Sequence, residues 1–382
     1  MYIRKLSNEI DAASWIAKLD VEGGGRRILS QKMELQLYYI QDLHVGAANI
    51  LKQDALSIGA DLAVPKSTIL CESPRVDCVL MGTRKHMQIL SRKELAQPFG
   101  LKALAQELKR FLKQDKEAHS YQIMGVMNAN DDSFYSGSRF SEKDTVSKIE
   151  MMIEEGADII DIGAVSSRPG AKTVAAEEEL ERLKPVIDAL YEQKLYEKVQ
   201  LSLDSYSASS VSYALERGFH IINDITGLAN DEVCRLIGSH KAKAVIMHMQ
   251  GTPQSMQKDP KYINLFKEME EFFAERIGKA ESFDIKDIVL DVGIGFGKSL
   301  EDNLSLIHHL GHFKKLHKDI LIGASRKSMI DRIAPSSAEE RLPGTLAIHL
   351  KAYENGACII RTHDVKEHVQ AFKVHQAIVT QF

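Results

Sequence analysis

The feature that most constrains the fold is a series of eight short apolar segments after residue 119, separated by segments with helical periodicity. They are residues 121–127, 158–163, 199–204, 220–224, 244–248, 288–291, 320–324 and 358–362. This alternation predicts parallel strands joined by helices. Eight such units in about 260 residues are typical of a barrel, whereas an open doubly wound sheet usually has fewer strands. We therefore predict an α/β fold with a (β/α)8 TIM barrel over residues 119–382.

The first part of the chain, residues 1–118, has a different pattern and is predicted to form a small α+β domain. Its predicted elements are strands at 33–40 and 76–81 and helices at 44–58, 85–95 and 101–112. The stretch Glu22–Gly25, before two arginines, is interpreted as a flexible connector rather than an anion-binding loop. No motif here indicates a chemistry, so the function of this domain is left open.

Composition excludes several classes of protein. The 382 residues are 44% hydrophobic and 27% charged, which is ordinary for a globular protein, and a net charge of −4 gives no reason to expect nucleic acid or an anionic membrane as partner. No apolar run approaches the roughly 20 residues that span a bilayer, and the N-terminus lacks an apolar signal core. No cysteines form a C-x-x-C pair, so zinc is not expected. We expect a cytoplasmic protein.

Polar residues follow the predicted strands at the end where active sites of such barrels lie. The strand ends carry Asn128, Asp161, Asp204, Asn223 with Asp224, His248, Asp291, Ser325 to Ser328, and Arg361 to His363. Each one has an ordinary structural explanation: Asp224, for example, could cap a helix. Polar residues at all eight strand ends are much harder to explain as caps, and they predict a binding site at this rim.

The side chains at these strand ends suit a flat heterocycle beside an anion. Asp204, Asn223 and Asp291 offer acceptors and an amide donor for the amino-amide edge of a pterin or guanine. Lys327 could donate to the other ring edge, and Met247 and Phe296 could cover the ring faces. A phosphate or pyrophosphate would suit Arg168, Arg361 and His363. The amide oxygen of Asn128 could bind a hydrated magnesium ion.

The glycine-rich stretch Gly293–Ser299 follows the sixth strand and needs a separate explanation. It ends in Gly-Lys-Ser like a nucleotide P-loop, but the first glycine of that motif would fall on Val292. The spacing of a dinucleotide-binding fingerprint also fails, because Lys298 occupies the third glycine position. We therefore predict a tight turn that lets the backbone approach a ligand, and no nucleotide phosphate site.

Taken together, the barrel part resembles dihydropteroate synthase, the folate-pathway enzyme that sulfonamides inhibit. The resemblance is carried by I-M-G-V-M-N (123–128), D-S-F (132–134), D-I-G (161–163), S-R-P-G-A (167–171), L-D-S-Y (203–206), I-N-D-I-T-G (222–227), M-H-M-Q-G-T-P (247–253), L-D-V-G-I-G-F-G-K (290–298), G-A-S-R-K-S (323–328) and R-T-H-D-V (361–365). These motifs occur in family order over nearly the whole second part. Residues 1–118 lie outside the usual family pattern.

The resemblance implies an activity and a set of roles. Pterin pyrophosphate and p-aminobenzoate would be the substrates, and a homodimer would be the assembly. The pterin would be held by Asp204, Asn223, Met247, Asp291, Phe296 and Lys327. Magnesium and the leaving pyrophosphate would be held by Asn128, with Arg168, Arg361 and His363 on the pyrophosphate. The p-aminobenzoate site would be bordered by Ser166, Ser167, Pro169 and Ser328. Catalytic roles would fall to Asn128, Asp204, Lys327, Arg361 and His363.

The chain departs from the family pattern mainly in two loops. Asn130-Asp131 stands where the family usually has Thr-Pro, and Val165-Ser166-Ser167 stands for Glu-Ser-Thr. Val292 and Ile294 replace Pro and Phe. The first two changes lie in the loops that form the second-substrate site, and the residues expected to hold the pterin are unaffected.

Two other functions stay open on the sequence. A pterin-dependent methyltransferase that serves a corrinoid would share the ring-binding acids but would not need the pyrophosphate residues. A catalytically idle pterin-binding paralogue, acting through residues 1–118 as an interaction module, is suggested by the loop departures. A pyrophosphate-release assay with and without p-aminobenzoate distinguishes the methyltransferase, and complementation of a strain lacking the synthase tests for idleness.

Overall fold

A computed structural model of the chain describes residues 1, 3–4, 12–113, 120–128, 139–165, 174–251, 256 and 260–379, with only the backbone described for 139–144. The chain divides into two compact units. The first comprises residues 1–115 with 376–382, and the second comprises residues 116–375. Each unit is described by itself.

The first unit is a small antiparallel sheet with helices. Its elements are α1 (Ala12–Lys18), α2 (Gly23–Met33), β1 (Leu35–His44), α3 (Val45–Ser57), β2 (Asp61–Ala63), β3 (Arg75–Thr83), α4 (Arg84–Lys93) and α5 (Leu101–Leu112). The strands are ordered β1-β3-β2. Leu51, Leu80, Leu90 and Leu101 are fully buried in one core cluster. The predicted α+β character of this part is confirmed.

The glycines at the start of α2 overturn one sequence interpretation. We predicted that Glu22–Gly25 would be a flexible connector, but Gly23–Gly25 form the first turn of the helix, and the Arg26 N–H donates to the Glu22 carbonyl over 2.9 Å. The prediction was wrong because it took glycine as a sign of irregular backbone. Glycine can occupy a helical first turn, where most backbone N–H groups have no partner within the helix.

The second unit is a closed barrel of eight parallel strands in the order β10-β11-β4-β5-β6-β7-β8-β9. Its strands are β4 (Gln122–Asn128), β5 (Ile159–Gly163), β6 (Gln200–Asp204), β7 (Ile221–Asp224), β8 (Lys243–Met247), β9 (Ile288–Asp291), β10 (Asp319–Ile322) and β11 (Ile359–Thr362). Its helices are α6 (Arg139–Glu154), α7 (Ala176–Glu192), α8 (Ala208–Leu215), α9 (Asp231–His240), α10 (Leu265–Ser282), α11 (Leu300–His308), α12 (Ser328–Ile333), α13 (Leu342–Glu354) and α14 (Val365–Val379), the last of which belongs to this unit up to residue 375. The predicted barrel is confirmed.

Two apolar clusters support the barrel. The larger one contains strand residues and helix residues such as Leu203, Phe273 and Phe372. The smaller one consists of Met124, Ile159, Ile221, Val245, Val289, Leu321 and Ile359, which come from seven of the eight strands. Each of these seven residues precedes the polar residue at or after the carboxyl end of its strand.

Within the described part of the chain, no helix has both the length and the apolar character that crossing a bilayer requires.

Candidate active site

The described residues that were predicted to form the site lie at the carboxyl ends of the barrel strands. Asn128, Asp204, Met247 and Asp291 are the last residues of β4, β6, β8 and β9, and Asn223 is next to last in β7. Lys327 follows β10, Phe296 follows β9, Arg361 lies in β11, His363 follows it, and Ser328 begins α12. In a parallel barrel these ends share one rim. Arg168, Ser166, Ser167 and Pro169, together with Asn130-Asp131, lie outside the described residues.

Arg361 is held by two carboxylates at this rim. Its Nε donates to Asp161 Oδ2 over 2.6 Å, and one terminal nitrogen donates to Asp204 Oδ2 over 2.7 Å. Burial disfavours the charge of Arg361, but the two carboxylates outweigh that effect and raise its pKa. Burial raises the pKa of Asp204 to about 7, against the opposing influence of Arg361. The arrangement thus places two acids against one cation at this part of the rim.

Asp161 is the organising residue of this network, and no specific role was predicted for it. Its side chain is fully buried and also accepts hydrogen bonds from Ser202 Oγ over 2.6 Å and from Asn223 Nδ2 over 3.0 Å. Side chains from four strands, β5, β6, β7 and β11, thus meet at one carboxylate. A signal was available: Asp161 is the single charged residue within the otherwise apolar segment Ile159–Gly163.

Asn223 is oriented by this bond and presents its other amide atom to the site. While Nδ2 donates to Asp161, Oδ1 is buried and has no hydrogen-bond partner among the described residues. A buried amide oxygen without a partner is costly, and such atoms usually mark a missing ligand or water. Asn223 therefore offers an acceptor for a ligand N–H group.

Asn128 reaches the same rim from β4. It is paired in register with Gly163, where an added Cβ would lie 3.2 Å from Asp204 Cβ. The described residues contain no group of three or more His, Cys, Asp or Glu side chains suited to hold a metal ion. Any metal here would therefore rely on few protein ligands and on oxygens supplied by substrate and water.

Apolar side chains and one lysine lie close together near the end of β9. Met247 and Phe296 belong to a cluster with Ile225 and Met256. The Lys327 ammonium lies 4.2 Å from the centroid of the Phe296 ring. This geometry is that of a cation–π contact.

Asp291 is electrostatically coupled to Lys327. Burial raises the pKa of Asp291, whereas the Gly293 N–H, which donates to Oδ1 over 2.8 Å, and the charge of Lys327 lower it. Asp291 and Lys327 are thus an acceptor and a donor that act on one site.

The turn after Asp291 wraps around its own lysine. The buried Lys298 ammonium lies 3.0 Å from His248 Nδ1 and donates to the carbonyls of His248, Gly293 and Phe296 over 3.2, 3.1 and 3.0 Å. Burial lowers the pKa of His248 to about 3, with Lys298 acting in the same direction, so its ring is a neutral acceptor. Lys298 is therefore a structural residue that shapes the loop carrying Phe296.

Two glycines of this turn are dictated by close backbone contacts. Gly293 has φ of +65°, and a Cβ there would lie 2.1 Å from the His248 carbonyl oxygen. Gly297 has φ of +61°, and a Cβ would lie 2.6 Å from the Gln250 carbonyl oxygen. The left-handed backbone and the lack of space both require glycine. The spacing that resembled a phosphate loop has this structural cause.

On the other side of Lys327, the loops after β10 and β11 are joined by side chains. Ser325 Oγ accepts from the His363 backbone N–H over 3.3 Å and lies 2.9 Å from His363 Nδ1. Arg326 donates from Nε to Asp364 Oδ2 over 3.0 Å, and a second guanidinium nitrogen contacts the other carboxylate oxygen. His363 is thus fixed relative to the segment that carries Lys327.

The comparisons with known proteins agree with this geometry. Residues 124–363 match the family model described as "Pterin binding enzyme". The bifunctional dihydropteroate synthase/dihydropteroate reductase of Helicobacter pylori is 43% identical over 350 residues, covering 92% of this chain and 92% of that protein. The dihydropteroate synthase of Escherichia coli is 39% identical over 261 residues, covering 68% of this chain and 92% of that protein.

A solved structure agrees as well. The Yersinia pestis dihydropteroate synthase, in complex with a sulfonamide drug, superimposes with a TM-score of 0.63 at 34% identity, covering 69% of this chain and 95% of that one. The closed barrel and its acidic rim are those of a pterin-binding enzyme. With relatives of this identity and coverage, the chain belongs to the dihydropteroate synthase family.

Proposed function

We propose that this chain condenses 6-hydroxymethyl-7,8-dihydropterin pyrophosphate with p-aminobenzoate, giving 7,8-dihydropteroate and pyrophosphate for folate synthesis. The proposal is carried by the unpartnered Oδ1 of Asn223 beside Asp204, an acceptor pair at the rim of a barrel in this family. Such acceptors match the N–H groups on the amino-amide edge of a pterin. Family membership favours this reaction over the methyltransferase alternative.

The ring-binding roles follow from chemistry. Asp204, Asn223 and Asp291 accept from the pterin, and Lys327 donates to it from the opposite edge. Met247 and Phe296 cover its faces. The cation–π contact of Lys327 with Phe296 holds the ammonium beside the position proposed for the ring, which supports these assignments.

The leaving group is assigned to the basic side of the rim. Arg361 and His363, with Arg168, bind the pyrophosphate, and Arg361 also stays in contact with the acids of the ring pocket. Ser166, Ser167, Pro169 and Ser328 border p-aminobenzoate. We further propose that the protein acts in the cytoplasm as a homodimer.

Magnesium is the cofactor we propose, held by the Asn128 amide oxygen and by the pyrophosphate oxygens. Magnesium commonly keeps several waters and takes only one or two protein ligands beside substrate phosphates, so the sparse donor set fits it. When bound, the ion supplies Lewis-acid stabilisation to the departing pyrophosphate. Asn128 orients the phosphate end of the substrate toward Arg361.

The chemical step breaks the bond between the pterin methylene carbon and the pyrophosphate oxygen. That carbon then bonds to the p-aminobenzoate nitrogen, which loses a proton to solvent. An aryl amine is a modest nucleophile and no dedicated base stands among the residues assigned here, so we propose that C–O cleavage runs ahead of attack. Asp204 and Asp291 stabilise the cationic methylene, and Arg361 and His363 stabilise the leaving charge. Each such group lowers the barrier by about 2–4 kcal/mol.

A pyrophosphate-release assay tests the function. The full chain is expected to form dihydropteroate, detected by mass spectrometry, with one pyrophosphate released per product molecule, when both p-aminobenzoate and magnesium are present. Because C–O cleavage is proposed to run ahead of attack, slow pyrophosphate release without p-aminobenzoate agrees with the mechanism. A chain that binds the pterin substrate but forms no dihydropteroate would refute the proposal and would favour the idle paralogue.

A second candidate activity is reduction of dihydropteroate. The Helicobacter pylori relative carries that activity in its name, and its match covers 92% of this chain, whereas the single-function relative from Escherichia coli covers 68%. The longer match therefore extends into the part before the barrel. Reduction needs a hydride donor of the reduced nicotinamide or reduced flavin class and one proton.

The reductase candidate is tested with the full chain under anaerobic conditions. Purified 7,8-dihydropteroate is supplied with NADH, NADPH or reduced flavin, and tetrahydropteroate is measured by mass spectrometry. The matched control is the Lys327→Ala variant, which keeps the whole first unit. Product formation by the wild type supports the second activity, and its absence with every donor class rules it out.

A further inference from the structure

Two buried histidines lie behind the site and have no role in the function proposed above. His349 is on α13 and His368 is on α14, and both are fully buried. His349 Nδ1 lies 2.8 Å from His368 Nε2, so the two rings are joined by a hydrogen bond. Buried polar pairs of this kind are specific features, because each partner costs stability when it is left unpaired.

The backbone fixes the direction of this hydrogen-bonded chain. The Ala324 N–H donates to His349 Nε2 over 3.0 Å, so that nitrogen carries no proton. In a neutral ring the proton is then on Nδ1, which donates to His368 Nε2. His368 in turn carries its proton on Nδ1, which lies 2.6 Å from the Asp364 carbonyl oxygen and 3.2 Å from Thr362 Oγ1.

The two ends of this hydrogen-bonded histidine chain, Ala324 and Asp364, lie next to residues proposed to bind substrate. Ala324 is three positions before Lys327, and Asp364 directly follows His363. The histidines therefore connect the backbone of the loop after β10 to the backbone of the loop after β11.

Strand pairing does not hold these loops together. The ladder between β10 and β11 consists of Leu321 with Ile359 and Ile322 with Ile360, and it stops there. Beyond it, contacts between the loops include those of Ser325 with His363, of Arg326 with Asp364, and the histidine chain. The hydrogen bond between the two histidine rings is buried, whereas the other two contacts are partly exposed.

Both rings are kept neutral, as the chain requires. Burial lowers the pKa of His349, with His368 acting in the same direction, and burial lowers the pKa of His368 against the opposing influence of Asp364 and Glu367. A proton on His349 Nε2 would point at the Ala324 N–H and break the connection.

We propose that His349 and His368 are positioning residues that set the spacing between Lys327 and the Arg361–His363 segment. This inference rests on the proposed function, in which Lys327 contacts the pterin and Arg361 and His363 contact the pyrophosphate. The ligand that depends on this spacing is the intact pterin pyrophosphate, because only it must engage both segments at once. Hydroxymethylpterin and free pyrophosphate each use one segment.

Calorimetry with three ligands tests the proposal on the full chain without p-aminobenzoate. His368→Leu and His349→Leu are expected to weaken binding of pterin pyrophosphate by about tenfold or more. Binding of hydroxymethylpterin and of pyrophosphate alone is expected to stay within about twofold of the wild type. His368→Gln is expected to keep wild-type affinity for pterin pyrophosphate, since its amide oxygen accepts from His349 and its amide nitrogen donates to the Asp364 carbonyl.

A matched control separates positioning from general destabilisation. Phe313→Leu alters another fully buried ring of the barrel, which packs on Phe266 and Phe273 rather than on either histidine. It is expected to lower Tm without changing the ratio of intact-ligand to fragment affinities. If a single leucine variant does not fold, the double variant His349→Leu/His368→Leu replaces it, because that change removes both polar rings together.

The outcomes are distinguishable. If the wild type fails to bind pterin pyrophosphate, the proposed function is wrong. If the wild type binds it and the histidine variants lose all three ligands equally, or lose none, the positioning role is wrong. Nitrogen-15 spectra of the histidine rings give a check that needs no ligand: both rings should carry their proton on Nδ1, and an Nε2 proton on either ring would overturn the chain.

Discussion

Arg361 and Asp161 are 200 residues apart in the sequence and form an ion pair with 2.6 Å between Nε and Oδ2. Asp161 is fully buried, whereas the Arg361 side chain retains 21% of its exposure. The buried carboxylate of Asp161 thus orients the guanidinium so that one of its terminal nitrogens donates to Asp204. The orientation of the cation at the rim is decided by a residue that does not itself reach the surface.

Replacing Asp161 by asparagine tests this relationship. Asp161→Asn keeps the size of the side chain but leaves Arg361 with one carboxylate and a buried amide in its place. We expect the free energy of unfolding to fall by about 3 kcal/mol, as when one partner of a buried pair is lost. Urea denaturation measures the change. Glu192→Gln, on the exposed end of α7, serves as the control and should change stability by less than about 0.5 kcal/mol. Unchanged stability in Asp161→Asn would contradict the assigned role.

Lys327 and Asn128 should differ in which step they affect. Lys327→Ala removes the proposed donor to the pterin ring, so calorimetry should find pterin pyrophosphate binding lost. Asn128→Ala removes the proposed ligand of the leaving group, so binding should be largely kept while turnover falls by about 100-fold. Normal affinity in Lys327→Ala would mean that the ring is held elsewhere.

The close backbone contact at Gly293 predicts that alanine lowers stability there, whereas alanine at the helical Gly278 should raise it. Gly293→Ala forces a Cβ against the His248 carbonyl and should destabilise the barrel by more than about 2 kcal/mol. Gly278→Ala, at an exposed position within α10 where a Cβ meets nothing within 4 Å, should stabilise it by about 0.5–1 kcal/mol. Thermal unfolding of the two variants measures both signs. Equal tolerance at the two positions would refute the close contact as the reason for Gly293.

The buried histidines predict a loss of stability in acid. Burial lowers the pKa of His248, His349 and His368 below the ordinary 6.5, so the unfolded chain takes up their protons first as the pH falls. The free energy of unfolding is therefore unaffected by these histidines above about pH 6.5. Below that pH it declines by about 1.4 kcal/mol per pH unit for each histidine that stays neutral in the folded protein.

A variant isolates this histidine effect from that of the acids. Carboxyls such as Asp204, whose pKa is raised by burial, act in the opposite sense. The double variant His349→Leu/His368→Leu lacks two of the histidines, so its denaturation curves should depend less on pH than those of the wild type between about pH 7 and about pH 5. Parallel curves would show that the pair does titrate in the folded protein.

Periodicity was sufficient to predict the barrel. Each of its eight strands begins and ends within about two residues of its predicted limits, because short apolar segments between amphipathic helices have few other solutions. The rim positions of Asp204, Asn223 and Asp291 follow from that count alone. The short strand β2 was not predicted, since three residues carry too little pattern.

Contacts between residues that are distant in the chain could not be predicted from the sequence. Arg361 was expected to face an anion, and Asp204 a ring, yet the two side chains are joined by a hydrogen bond although β11 and β6 are three positions apart around the barrel. Lys298 looked like part of a phosphate motif, and only its four acceptors identify it as structural. The roles of Asp161, His349 and His368 depend in the same way on partners from other elements.

The order of strands around the barrel has a consequence for biosynthesis. The last strand to be made, β11, closes the ring against the first, β4, and brings Arg361 to Asp161. In a ribosome-bound chain that still lacks β11, Asp161 therefore has no counter-ion, and the edge of β4 is unpaired. The pterin-binding site is therefore complete only after β11 has been synthesised and has paired with β4.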